Sequence, residues 1–242
     1  MMRSLKMCGV LFPLLMAALP ALAAGEGKSL PVLDRQRTAV VITDPQNDFL
    51  REDGKLYPLL ADNLKELGTI DNIARLMEES KASGVVLAVD PLVYTALDGN
   101  WTHAGALQRQ LLEMKALHRA TLADGKGLEG SGADFFPRYK PLIHDGKTIV
   151  VAPHKMYGPE SNDLIYQLRS RSIDTVVLAG LVANLCVDSH MRALMENGFS
   201  VYVVKDAVAA PGADAYKAAL VNFSMIANGV LTTDEAVKIL RK

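Results

Sequence analysis

Residues 175–198 read TVVLAGLVANLCVDSHMRALMENG, and the fold is decided there. Thr175, Val176, Val177, Leu178 and Ala179 form a short, unbroken apolar and β-branched run, the pattern of a strand buried on both faces. Gly180 breaks the run, the chain turns, and residues 186–197 read as a helix that Gly198 closes from the C′ position. A buried strand followed by a turn and a helix is the repeating unit of a parallel sheet covered on both sides.

The same unit recurs outward in both directions. On the N-terminal side, Ala39-Val40-Val41-Ile42 is a β-rich run ending at Thr43-Asp44, and residues 63–83 predict a helix, with Leu64, Leu67, Ile70, Ile73, Leu76 and Met77 at three-to-four spacing and Gly84 as its stop. Residues 85–89 and 148–152 supply two more strands, and residues 201–204 another. Helices are predicted over 163–171 and 213–228, the latter closed by Gly229. Val230-Leu231 is a short strand before a last helix, which the capping box Thr232-x-x-Glu235 opens. The fold class is therefore α/β, three layers about a parallel sheet. The irregular region 90–146, with one helical stretch at 107–122, has the length of a segment that shapes a site or an oligomer contact.

The chain has 242 residues, of which 50% are hydrophobic and 22% charged, enough for one substantial core. A net charge of -1 and 6% aromatic residues offer nothing to nucleic acid or an anionic membrane. Arg3 and Lys6, the apolar run 8–19 and Ala21-Leu22-Ala23 have the order of a secretory signal peptide over 1–23, which predicts an exported protein, periplasmic or secreted, with no membrane attachment after cleavage. Residues 24–37 read as a leader, and 38–242 as one domain. Of the two cysteines, Cys8 leaves with the signal, so Cys186 is a lone thiol with no disulfide partner.

Ligands of open parallel sheets bind at the carboxyl ends of the strands. Three reactive side chains follow strand ends here: Asp44 after the first, Lys155 after the third, and Cys186 after the fourth. Each has a bland alternative: Asp44 as a turn cap, Lys155 as a solvated charge, Cys186 as a small buried hydrophobe. The start of a helix favours thiolate over thiol, which makes Cys186 a candidate nucleophile. His154 and His190 leave a Cys–His pair as a rival, although His190 is expected to point down its helix. Gly125-Lys126-Gly127-Leu128-Glu129-Gly130 matches a dinucleotide pattern but lacks the flanking strand and helix, so no cofactor is expected.

Asp44-Pro45-Gln46-Asn47-Asp48-Phe49, the lysine after the third strand and the turn from Gly180 to Cys186 together resemble the isochorismatase-like cysteine hydrolases. The resemblance implies a Rossmann-like six-stranded parallel sheet, a homodimer or homotetramer, and a catalytic triad of Asp44, Lys155 and Cys186. It also implies a cis peptide at Leu181-Val182 and an oxyanion hole from the backbone amides of Val182 and Cys186. The activity implied is hydrolysis of an amide-type carbon–nitrogen bond in a small molecule, through a thioester. A metal-binding branch carries Asp-x-His after the second strand; this chain has Asp90-Pro91-Leu92, so no metal is expected, with Asp98 and His103 the remaining generic donors. Ala183 stands where many relatives carry threonine. Phe49, Tyr94, Trp101 and Tyr157 are the expected substrate-binding aromatics. The alternatives are a catalytically silent binding protein and a redox-sensing thiol on the same fold.

Overall fold

The computed structural model describes residues 30–155 and 157–242. The expected signal peptide, Cys8 and residues 24–29 of the leader lie outside them. Six strands form one sheet: β1 (Thr38–Thr43), β2 (Val86–Asp90), β3 (Ile149–Val150), β4 (Thr175–Leu181), β5 (Ser200–Ala209) and β6 (Gly229–Leu231). Their order is β3-β2-β1-β4-β5-β6, and every pairing is parallel. All six residues of β1 are buried, as expected of a central strand covered on both faces. Edge strand β3 leaves Val150 46% exposed.

The connecting helices are α1 (Tyr57–Leu67), α2 (Thr69–Ser83), α3 (Ala106–Glu113), α4 (Leu164–Arg169), α5 (Asp188–Glu196), α6 (Ala213–Ile226) and α7 (Thr233–Leu240). No helix among the described residues is long and apolar enough to cross a membrane.

Several boundaries differ from the periodicity. The helix expected over 63–83 is two helices, because Gly68 adopts φ 65° and breaks the chain between them. Apolar spacing survives the break, which hides it from a periodicity argument. The stretch expected over 107–122 is helical only over Ala106–Glu113; Lys115 and Leu117 have positive φ and end it. Gly229 opens β6 instead of closing α6, whose C-cap is Ala227. The expected helix starting at Cys186 is preceded by a π-helical turn, Ala183–Val187, and α5 proper begins at Asp188. Gly84 closes α2 with φ 72°, and Thr232 and Glu235 form the reciprocal capping box of α7.

Candidate active site

The site lies at the carboxyl ends of β1, β2 and β4, where a crevice forms in parallel sheets. Strand β1 ends in Asp44, which is fully buried and held at φ 51°, a left-handed conformation that costs an L-residue roughly 1–2 kcal/mol. Its amide donates to the Asp90 carbonyl at 2.9 Å, tying the ends of β1 and β2 together. Gly180 brings β4 against this corner. It has φ 118°, and a Cβ there would sit 2.2 Å from the Thr43 carbonyl oxygen. Only glycine permits that approach. Beyond it the Leu181-Val182 peptide is cis, and the turn Ala183–Val187 carries Cys186 back over Asp44.

The donor atoms of Asp44, His154 and Cys186 all lie within 4.8 Å of one another, and all three residues are buried. Asp44 Oδ1 accepts from His154 Nε2 at 2.9 Å. Asp44 Oδ2 is buried with no hydrogen-bond partner. A buried carboxylate oxygen left unpaired is costly.

Burial, and then the Asp44 carboxylate beside it, push the Cys186 thiol well above its usual range; the Val182 amide, bonded to the sulfur, pulls the other way. The resting group is therefore a thiol. This corrects the expectation that a helix N-terminus would favour the thiolate: burial and a neighbouring negative charge outweigh the amides.

Lys155 is not the group bonded to Asp44. Its ammonium is bonded to Asp98 Oδ2 at 2.5 Å, and the pair is partly exposed. The reason is strand alternation. The β2–β3 pairing continues past β3 through a bridge between Leu92 and His154, with His154 N donating to the Pro91 carbonyl. In extended chain, successive side chains face opposite sides, so His154 turns inward and Lys155 outward. The sequence reading had His154 only as a rival partner for the thiol; continuing the period of two from β3 would have placed it on the inner face.

His190, expected to point down its helix and away from the strand-end crevice, instead reaches the end of β2, its ring centre 5.2 Å from that of His154. Its Nδ1 faces the carbonyl oxygen of Cys186 at 2.7 Å and that of Tyr157 at 3.1 Å, and its Nε2 meets Asp90 Oδ2 at 2.8 Å. Asn162 Nδ2 donates to the other Asp90 oxygen. His190 thus clamps the turn that carries Cys186 to the end of β2, a contact that spacing could not reveal.

Asp90, His154 and His190 also have donor atoms within 4.8 Å of one another, a separation compatible with a metal. Asp90 and His190 already satisfy each other there. Asp98, the generic donor considered beside His103, accepts instead from the Thr95 amide, the Thr95 hydroxyl and Lys155.

The motif around Asp44 has a second purpose. Gln46 Nε2 donates to the carbonyls of Leu92 and Ala133, and its Oε1 accepts from the Leu92 amide. Asn47 donates to Ser131, and Asp48 accepts from the amides of Leu117 and Lys55. These side chains stitch the irregular segment 90–146 over the end of the sheet, which explains how so much loop stays packed.

A cavity of about 130 Å³ opens onto Cys186 and Val182, and Phe49 and Tyr157 line it. Tyr94 and Trp101 do not line it. Tyr94 is 1% exposed and packs edge-on against Trp101 at 6.0 Å between ring centres. Trp101 instead lines a separate open groove with His103, Arg109 and Lys155.

The Isochorismatase domain model matches residues 38–235, and the chain belongs to this family of hydrolases. The ureidoacrylate amidohydrolase RutB of Variovorax paradoxus (strain S110) is 28% identical over 212 residues, covering 83% of this chain and 80% of that protein. The isochorismatase family protein PncA of Bacillus subtilis (strain 168), itself uncharacterized, is 27% identical and covers 78% of this chain and 94% of its own. Among solved structures, a cysteine hydrolase from Pseudomonas syringae pv. phaseolicola 1448A superposes with a TM-score of 0.70 at 21% identity, covering 88% of this chain and 97% of that one. At that identity the likeness concerns the fold.

Proposed function

We propose that the protein hydrolyses an amide-type carbon–nitrogen bond in a small molecule, with Cys186 as nucleophile, Asp44 as proton acceptor and His154 as the group that holds Asp44. The observation that carries this reading is the divided carboxylate: one oxygen of Asp44 is bonded to His154, the other is buried with no hydrogen-bond partner, and the carboxylate lies beside the Cys186 thiol. The relatives named ureidoacrylate amidohydrolase support amide chemistry. In this reading His154 takes the part that the family resemblance assigned to Lys155.

The thiol proton passes to the free Asp44 oxygen as sulfur attacks the substrate carbonyl. A carbon–sulfur bond forms, and the carbonyl electrons move to oxygen, where the backbone amides of Val182 and Cys186 receive the charge. Losing one such donor costs about 3–4 kcal/mol of barrier. Asp44 then returns the proton to the leaving nitrogen, the carbon–nitrogen bond breaks, and an acyl-thioester remains. Water, deprotonated by the same carboxylate, cleaves the thioester and restores the thiol. Raising the thiol above the neutral range is compatible with this sequence, since proton transfer accompanies attack instead of preceding it.

The test is ammonia release from a panel of small primary amides by the parent and by Cys186→Ala. Loss of release in the variant is expected; equal release by both excludes the nucleophile. Export and a homodimer or homotetramer belong to the same proposal, on the N-terminal pattern and the family resemblance. Cell fractionation and light scattering on the purified protein test them.

A further inference from the structure

We infer that the cavity over Cys186 is an acyl pocket and that the substrates are amides of short, uncharged, hydrocarbon-like acyl groups. This rests on the hydrolase reading and names its substrate class.

The chemistry of the walls carries the inference. Three parts of the chain build them: Leu56 and Leu60 at α1, Leu111 on α3, and Leu92 after β2, with Phe49 and Leu185 closing the sides. Among the described residues lining this cavity none is charged, and Tyr157 is the one side chain besides Cys186 that carries a polar atom. A carboxylate or ammonium on the acyl group would leave water and find no counter-charge, a penalty that a hydrocarbon group does not meet. The apolar surface also pulls the other way, because covering Leu and Phe side chains with substrate carbon removes both from water.

Cations do stand nearby in the sequence, but on the other side of α3. Arg109 and Lys155 line the open groove with Trp101, and Lys155 is bonded to Asp98. Helix α3 thus presents Leu107 and Leu111 to the cavity and Gln108 and Arg109 to the groove. An anionic acyl group attached to Cys186 lies in the first of these, whose walls include neither cation.

The cavity beside the sulfur has about 130 Å³ of accessible space, and propionyl, butyryl and valeryl chains are the graded probes of how much carbon it takes.

The experiment uses the full chain with propionamide, butyramide, valeramide and succinamate, the last an anion of valeryl-like length. Ammonia release gives kcat/KM for each. The expected result is a rise of about tenfold per added methylene towards valeramide, with succinamate roughly a hundredfold below it. A flat series, or succinamate equal to or better than valeramide, overturns the inference. Calorimetric binding to Cys186→Ala separates the pocket from the chemistry. Saturable valeramide binding with no turnover by the parent sinks the hydrolase reading and leaves the pocket; turnover that favours succinamate does the reverse. Leu59→Arg adds a cation at the exposed rim, where Leu59 is 59% exposed and its loss spares the core. It is expected to raise the succinamate-to-valeramide ratio about tenfold, an amount in the range a pocket contact supplies. An unchanged ratio counts against the assignment.

Discussion

His154 and Lys155 are neighbours in the chain, yet each meets a different carboxylate in a different setting. The His154–Asp44 pair is fully buried, its carboxylate lies beside a thiol, and one carboxylate oxygen has no hydrogen-bond partner. The Lys155–Asp98 pair is partly exposed, and a single oxygen of its carboxylate, Oδ2, accepts from the Thr95 amide and hydroxyl as well as from the lysine. Both are contacts between a carboxylate and a basic side chain at the same end of the sheet. In the proposed reading, the buried Asp44 carboxylate beside the Cys186 thiol, more than the identity of the base, separates a reactive site from a structural tie.

The contrast breaks most sharply at Asp44. Asp44→Asn keeps the shape and removes the proton acceptor, so kcat is expected to fall by about 10²–10⁴; the steady-state rate of ammonia release reads this directly. A variant with parental activity would place the base elsewhere.

His154→Leu leaves a buried carboxylate without its partner. Removing one member of a buried pair costs about 3–5 kcal/mol, so a large drop in the urea midpoint is expected together with loss of activity. Lys155→Met provides the comparison. If the lysine variant loses turnover and the histidine variant keeps it, the roles drawn here are reversed.

The thiol offers an intermediate effect with a definite sign. An unfolded cysteine loses its proton near pH 8.5, whereas burial and Asp44 hold the Cys186 proton to higher pH in the folded state. Below about pH 8.5 both states keep the proton and the group contributes no pH dependence. Above it the unfolded state binds fewer protons, so stability falls as pH rises, by at most about 1.4 kcal/mol per unit. Chemical denaturation between pH 8 and 9.5 is expected to lose that slope in Cys186→Ala. Iodoacetamide should likewise alkylate the native thiol more slowly than free cysteine at pH 7; faster alkylation would mean a thiolate at rest.

The smallest effect belongs to the partly exposed pair. Lys155→Met is expected to change stability by about 1 kcal/mol or less, and kcat by less than about threefold, since its ammonium acts on Asp98. A thermal melt and the same ammonia assay check both.

Much of the architecture was legible as pattern. Six apolar runs, one per strand, and a reactive residue after each of three predicted the parallel sheet and located the crevice at its carboxyl edge. Asp44 and Cys186 were recoverable because strand ends in such a sheet converge whatever their separation in sequence. Less legible were features where local pattern and packing disagree. Gly68 divides a helix whose apolar spacing runs on unbroken. Tyr94 and Trp101 sit in the loops that shape the site but pack edge-on against each other outside the cavity, since a loop's path is set by hydrogen bonds from Gln46, Asn47 and Asp48 that no periodicity records.

The amino-acid sequence by itself determined the layered sheet, the edge where chemistry gathers, and the carboxylate and sulfur that meet there, because hydrophobic period and strand-end geometry are local and topological properties. Tertiary structure alone decided which of two adjacent basic residues reaches Asp44, whether the sulfur rests as thiol or thiolate, and what lines the space above it. Those outcomes depend on burial, on the register carried past β3, and on the packing of segments distant in the chain, and no residue carries that information in its own identity.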